Sequence, residues 1–191
     1  MWEKPPGSGG VYINWGSDKC ASGSVVNPEV ERLYVGRASG PLAKAWGGGR
    51  NYECLKDTDP SLSNPLTPLP KAAYLDAVDF RTFTDPEKSQ PIVCAACFVG
   101  KTVAVQTFYG RTSCPANWRK EYSGIVMADS PSNVDTDFMC LNKDAFDRMP
   151  TDSNDPKISK INPVWMSCKN CDGDKVVPCA VCSYENKAPV F

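Results

Sequence analysis

The hydrophobic residues of this chain fall in short β-branched or aromatic runs, separated by clusters of Gly, Pro, Asn and Asp. This spacing is typical of strands and turns. The strand-like segments are 11–15 (VYINW), 31–36 (ERLYVG), 91–110 (PIVCAACFVGKTVAVQTFYG) and 121–128 (EYSGIVMA). Within the third, residues 102–109 alternate between two faces that are both rather apolar. We therefore expect that strand to be buried on both sides.

Helical patterns are weak and short, and only Lys71–Phe80 and Lys143–Met149 favour a helix. The polar segments 57–70 and 151–163 predict long surface loops. The predicted fold class is therefore mainly β, with little helix.

An internal repeat organises the chain. Four landmarks occur twice in the same order: an aromatic-Gly-x3-Cys segment, an aromatic-x-Gly, an aromatic-x-Cys-Leu and a CxxC. They are Trp15–Cys20, Tyr34–Gly36, Tyr52–Leu55 and Cys94–Cys97, then Tyr109–Cys114, Tyr122–Gly124, Phe138–Leu141 and Cys179–Cys182. Equivalent cysteines lie 94, 86, 85 and 85 residues apart. We predict a Gly/Pro leader (1–9) and two tandem homologous β-rich units, 10–99 and 100–191.

Composition excludes several classes of function. The chain has 191 residues and no histidine, which removes Ser-His-Asp and Cys-His nucleophiles and HExxH zinc sites. Lys and Arg (21) nearly balance Asp and Glu (22), so no charge pattern indicates a nucleic acid or an anionic membrane as partner. No apolar run is long enough to span a bilayer. Paired carboxylates such as Glu121 and Asp129 leave one route to catalysis, but nothing distinguishes them from surface acids, and we predict a protein that is not an enzyme.

Ten cysteines in a chain of this length favour a secreted, extracellular protein that is held together by disulfides. In a strand, residues i and i+3 point to opposite faces, so each CxxC is better suited to anchor two separate bridges than to close on itself. Cys168 and Cys171 have no counterpart in the first unit and most simply pair with each other. The alternative is a four-thiolate zinc site formed by Cys168, Cys171, Cys179 and Cys182. We expect no metal and no cofactor.

The residues also resemble a known family. The segments CAACFVGKTVAVQTFYGRTSCPANWRKEYSGIVMA, WGSDKC, GGGRNYECL and VVPCAVC are similar to the duplicated C-terminal non-collagenous domain of type IV collagen. The resemblance is closest to short-chain, spongin-type collagens of marine invertebrates, and it covers residues 11–184. It implies two tandem β-rich units closed by the bridges Cys20–Cys97, Cys54–Cys94, Cys114–Cys182 and Cys140–Cys179. It also implies a small loop closed by Cys168–Cys171.

Two functions follow as expectations. The first is a secreted extracellular-matrix or mucus protein that acts by self-association, as a homo-oligomer of three or more copies. The second is a lectin-like module that binds glycans or matrix proteins through the loops 37–50 and 124–136. For that second function the candidate residues are Trp46 and Arg50 on the glycine-rich loop, with Asp135 and Asp137. The two aspartates are also calcium-ligand types, although solvated turns are the favoured interpretation.

Overall fold

The computed structural model describes residues 9–21, 30–41, 51–56, 75–81, 88–129, 137–148, 158–167 and 174–185. These residues form a mainly β fold, which confirms the predicted class. The strands are β1 (Gly9–Trp15), β2 (Val30–Pro41), β3 (Glu53–Leu55), β4 (Leu75–Arg81), β5 (Ser89–Pro91), β6 (Val93–Gly100), β7 (Thr102–Tyr109), β8 (Trp118–Ala128), β9 (Met139–Asn142), β10 (Ser159–Pro163), β11 (Trp165–Met166), β12 (Lys175–Val176) and β13 (Pro178–Glu185).

Strands at matching places of the predicted repeat pair in the same way. In the first half (residues 10–99), β6 lies between β1 and β2 and is antiparallel to both. In the second half (residues 100–191), β13 lies between β7 and β8, again antiparallel to both. The short strand β3 pairs with β2, as β9 pairs with β8. The division into two units at residue 99 stays a prediction, because the sheet continues across it.

Two parallel contacts join the halves. Trp15 at the end of β1 pairs with Leu141 of β9, and β10 runs parallel to β4 from Ser159 opposite Val78 to Ile161 opposite Phe80. The hydrogen-bonded strand order is β10-β4-β2-β6-β1-β9-β8. This order is closed, because its last strand, β8, also pairs with its first, β10. The largest buried cluster draws side chains from both halves.

Two helical segments were predicted, and one of them is wrong. Residues 75–81 form strand β4, which hydrogen-bonds to β2, β5 and β10. The weak local preference is overridden because Val78, Asp79 and Phe80 are buried between those neighbours. The other segment is helical over Lys143–Asp147, a 3₁₀ helix that Asn142 caps by accepting a hydrogen bond from the Asp144 backbone amide at 3.0 Å.

The predicted surface loops are only partly inside the described residues. Residues 57–70 and 151–157 lie outside them. At the end of the second segment, Ser159–Pro163 is strand β10 and not loop. Ile161 is fully buried and the Ser159 hydroxyl donates to the Pro41 carbonyl at 2.8 Å, so long-range contacts stabilise a stretch that looks polar in isolation.

The expectation that residues 102–109 are buried on both faces is also wrong. Among the described residues, β7 pairs only with β13 and ends the order of strands. Val103 and Tyr109 are about half exposed, at 52% and 51%. The preceding strand in the chain, β6, is buried on both faces, since Cys94 to Cys97 are at most 1% exposed. Both strands are apolar, so the pattern could not separate a central strand from an edge strand.

One glycine in each half permits a close approach of two strands. An added Cβ at Gly36 would overlap the carbonyl oxygen of Leu55, and one at Gly124 would overlap that of Leu141. Both glycines belong to the aromatic-x-Gly landmark. Its repetition therefore has a steric cause, since only glycine leaves room for β3 and β9 to cross so near their partner strands.

We expect Gly124→Ala to lower the free energy of unfolding by about 3 kcal/mol, because the backbone of β9 would have to move. Gly110→Asn is the control: Gly110 has φ +78° and no atom within 4 Å of an added Cβ. Asparagine tolerates that conformation, so the expected loss is below about 1 kcal/mol. Denaturant unfolding of both variants measures this, and equal losses would contradict the steric explanation.

Candidate functional site

Four disulfides anchor the two CxxC strands. They are Cys20–Cys97, Cys54–Cys94, Cys114–Cys182 and Cys140–Cys179. These are the four pairs that the resemblance implies. Their Cα–Cα distances of 5.6–6.0 Å are ordinary for disulfides. The predicted bridge Cys168–Cys171 lies outside the described residues.

The zinc alternative is wrong, because Cys179 and Cys182 are bonded in disulfides and cannot act as thiolate ligands. Within the described ranges, no group of three or more Cys, Asp or Glu side chains could hold a metal ion.

Most of the predicted ligand-binding residues lie outside the described residues, namely Trp46, Arg50 and Asp135. Asp137 is described and exposed. It lies near Tyr109, whose pKa is raised by burial and by the Asp137 carboxylate. The predicted binding loops begin later than expected, because residues 37–41 belong to β2 and 124–128 to β8. Glycan binding through these loops stays a prediction.

The carboxylates Glu121 and Asp129 do not form a pair. Glu121 is the fourth residue of β8 and Asp129 follows the last one, so they lie about 26 Å apart at the usual rise of a strand. Glu121 has a fully buried side chain whose Oε1 accepts hydrogen bonds from Arg119 Nε at 2.9 Å and from the Ser183 hydroxyl. The separation rules out a glycosidase-type arrangement of these two residues.

Arg119 completes this buried polar cluster by pairing with Glu185 at 2.8 Å. Burial lowers the pKa of the guanidinium, but the hydrogen bonds to Glu185 and Glu121 outweigh it and raise the pKa. Glu121 sits at a β-bulge, because its neighbours Lys120 and Tyr122 face consecutive residues of β13. Leu33 occupies the matching bulge of β2. The cluster is therefore a feature of the second half alone. The sequence analysis did not predict that Ser183 would hydrogen-bond to Glu121 or that Glu185 would pair with Arg119.

The contact between the halves is a candidate for function, because it combines an apolar core with specific polar contacts. Phe80 of the first half packs edge-on against Phe146 of the second at 5.2 Å between ring centres. The Asn142 amide donates to Asn14 Oδ1 at 2.9 Å in a buried position. The Tyr122 hydroxyl donates to the carbonyls of Ile13 and Cys140 at 2.9 and 3.0 Å.

Matching positions in the two halves have the same backbone geometry but different surroundings. The Gly16 amide donates to the Val93 carbonyl at 2.7 Å, and the Gly110 amide donates to the Pro178 carbonyl at 2.8 Å. Both glycines have positive φ. An added Cβ at Gly16 would meet Leu141 and Ala145 of the other half, whereas one at Gly110 would meet nothing within 4 Å. The first site is covered by the second half, and the matching site is open.

The pairing register extends this comparison. Phe80 faces Gln90 across the β4–β5 pair as Met166 faces Lys175 across β11–β12, so Phe80 and Met166 match. The same comparison matches two neighbouring strands. Asp76 faces Gly40 of β2, and Asn162 faces the matching residue Ala128 of β8. The residues that precede them, Leu75 of β4 and Ile161 of β10, therefore match as well. Phe80 and Ile161 are buried between the halves, at 1% and 0% exposure. Their counterparts Met166 and Leu75 are 54% and 50% exposed.

The second half therefore carries an exposed surface that matches the contact surface of the first half. We call this surface the open aromatic face, and its residues are the counterparts of those with which the first half contacts the second. It consists of Tyr109, Phe138 and Met166, the counterparts of Trp15, Tyr52 and Phe80, and these three residues are 51–59% exposed. The rings of Tyr109 and Phe138 contact each other at 6.4 Å between centres. The first half carries the complementary open aliphatic edge, the partly exposed Leu55 and the exposed Leu75, which match the buried Leu141 and Ile161.

A comparison of the chain with models of known protein families finds no match. Among the described residues, no helix is both long enough and apolar enough to cross a membrane.

We expect reduction to cause a large loss of stability, because the removal of a native disulfide from a small domain typically costs about 2–5 kcal/mol. Thermal unfolding with and without a reductant at the same pH tests this. An unchanged melting temperature after complete reduction, checked by thiol titration, would contradict the structural role of the bridges.

Stability should also fall at alkaline pH. Burial raises the pKa of Tyr12 and Tyr122, and the Glu121 carboxylate further raises that of Tyr12. Below pH about 10 both hydroxyls keep their protons in the folded and unfolded states. Above it the unfolded chain loses these protons first, so the free energy of unfolding falls by up to about 1.4 kcal/mol per pH unit for each tyrosine.

Denaturant unfolding between pH 8 and pH 11.5 gives this slope. The double variant Tyr12→Phe/Tyr122→Phe should unfold more easily at pH 8, since the Tyr122 hydrogen bonds are lost, but with a shallower decline above pH 10. A decline as steep as that of the wild type would show that other groups cause it.

Proposed function

We propose that this protein is a secreted, non-enzymatic protein of an extracellular matrix or mucus, similar to the globular head of a short-chain collagen, and that it acts by self-association. The mainly β fold with four disulfides supports the extracellular part, because such bridges persist in oxidising compartments. The observation that carries the proposal is the open aromatic face, whose residues match those that form a contact between the two halves inside the chain.

The mode of association follows from the asymmetry of the internal contact. The first half offers Trp15, Tyr52 and Phe80, and the second half covers them with different elements, β9, β10 and the 3₁₀ helix. Such a contact joins two different surfaces of matching units, so it is heterologous. The second half keeps its own copy of the first half's contact surface unused, and the first half keeps its own copy of the second half's contact surface unused. The open aromatic face of one copy would bind the open aliphatic edge of the next copy, in the way that the first half binds the second.

A polar contact matches as well. Tyr34 occupies in the first half the place of Tyr122, and Thr107 occupies in the second half the place of Ile13. Tyr34 is only partly buried. Association would allow its hydroxyl to donate to the backbone carbonyl of Thr107 of the partner copy. In the free chain that carbonyl accepts a hydrogen bond from its neighbour, the Gln106 amide, at 3.0 Å.

A repeated heterologous contact closes into a ring if the rotation allows it, and otherwise extends into a filament. We expect a closed ring of three or more copies, with both open surfaces buried.

Met166→Asp tests the proposal, since its counterpart Phe80 is buried and a charge at this position of the open aromatic face would have to be buried in every contact. We expect a monomer by light scattering or sedimentation at concentrations where the wild type associates. Val103→Asp is the matched control, because Val103 is 52% exposed and lies outside the face, against 54% for Met166. It should associate like the wild type, and both variants should keep the wild-type circular dichroism.

Complementation separates this mode from a symmetric dimer. Leu75→Asp damages the aliphatic edge and leaves the aromatic face intact, the reverse of Met166→Asp. Each variant alone should stay monomeric, but an equimolar mixture retains one intact pair of surfaces and should form heterodimers that grow no further. A wild-type protein that stays monomeric at millimolar concentration would overturn the proposed function, and a mixture that stays monomeric would overturn the head-to-tail mode.

A further inference from the structure

Met166 differs from its counterpart in one chemical respect. The contact inside the chain places Phe80 at this position, buried at 1% exposure. The open aromatic face places Met166 there, 54% exposed. A phenyl ring is inert to mild oxidants, whereas a methionine thioether is readily oxidised. The two versions of one contact therefore differ in their sensitivity to oxidation.

The other described methionines are shielded. Met127 and Met139 are 0% and 2% exposed and belong to the buried cluster between the halves. An oxidant of small size reaches Met166 in the free chain and does not reach these two without unfolding. The fold thus combines one accessible thioether at a proposed contact with two protected ones that serve as internal references.

We propose that Met166 is a modification site, at which a peroxide oxidises the thioether and thereby prevents self-association while the fold stays intact. The inference rests on the proposed function, since it names a regulation of the same surface. The sulfur attacks one peroxide oxygen, an S–O bond forms, and the O–O bond breaks. The sulfur loses two electrons to give the sulfoxide, and with hydrogen peroxide the leaving hydroxide takes the proton of the transferred oxygen and departs as water.

The sulfoxide changes the surface in a way that opposes burial. Its S–O bond is a strong dipole that needs a hydrogen-bond donor, and the contact inside the chain presents apolar residues around Phe80. The loss of apolar burial for one methionine side chain corresponds to a weakening of association by at least about tenfold. Because methionine sulfoxide reductases reverse the reaction, the effect is reversible.

The test treats the wild-type protein with dilute hydrogen peroxide and follows two readouts. Peptide mass spectrometry reports which methionines gain an oxygen, and sedimentation reports the state of association. We expect Met166 to be oxidised at least about tenfold faster than Met127 and Met139. We further expect oxidised protein to sediment as a monomer with unchanged circular dichroism, and reductase treatment to restore association.

Met166→Phe is the matched variant, because it installs the residue that the chain itself uses at the equivalent position. It should associate like the wild type and stay associated after the same peroxide treatment. Protection of Met166 in concentrated, associated wild type relative to dilute protein would further support the proposal.

The outcomes separate the inference from the proposed function. Untreated wild type that never associates overturns the proposed function. Wild type that associates, gains an oxygen at Met166 and stays associated overturns the inference alone. Met166→Phe that dissociates in peroxide as readily as the wild type also overturns it, since another site would then be responsible.

Discussion

The rest of the structure depends on two strands that are covalently held from both faces. β6 and β13 each carry a CxxC whose two cysteines point to opposite sides of the strand, and each cysteine is bonded to a different segment. Alanine fills three of the four positions between them, with Ala95, Ala96 and Ala180 at most 1% exposed, and Val181 fills the fourth at 4%. A strand confined in this way has little freedom of register, so the neighbouring strands align to it.

The same framework supports different chemistry in the two halves. The matching bulges hold Leu33 in one and Glu121 in the other. A buried carboxylate is tolerated only with partners, and Arg119 and Ser183 supply them. At the surface, matching residues are buried where the halves meet and exposed where nothing in the described part of the chain covers them. Repetition of the backbone thus produces two surfaces that are complementary instead of identical.

The sequence was sufficient for much of the framework and for little of the site. The repeated glycine and cysteine positions predicted the strands around Val11–Trp15 and Glu121–Ala128, because these residues occupy positions with strict steric or covalent demands. It failed for Leu75–Arg81 and Ser159–Pro163, whose conformation depends on partners more than 80 residues away. It also could not reveal the open aromatic face, since exposure of Met166 or Phe138 depends on which half covers the other.

The disulfides also define how the chain is connected. Every described bridge joins residues within 20–97 or within 114–182, and none of these four crosses between the halves. A single cut of the backbone between residues 98 and 113 would therefore leave two covalently separate pieces, held by non-covalent contacts such as those of β1 with β9 and of β4 with β10, the hydrogen bond between Asn142 and Asn14, and the shared core. Cohesion across the molecule is in this sense a binding equilibrium, for which the connecting segment supplies a high effective concentration.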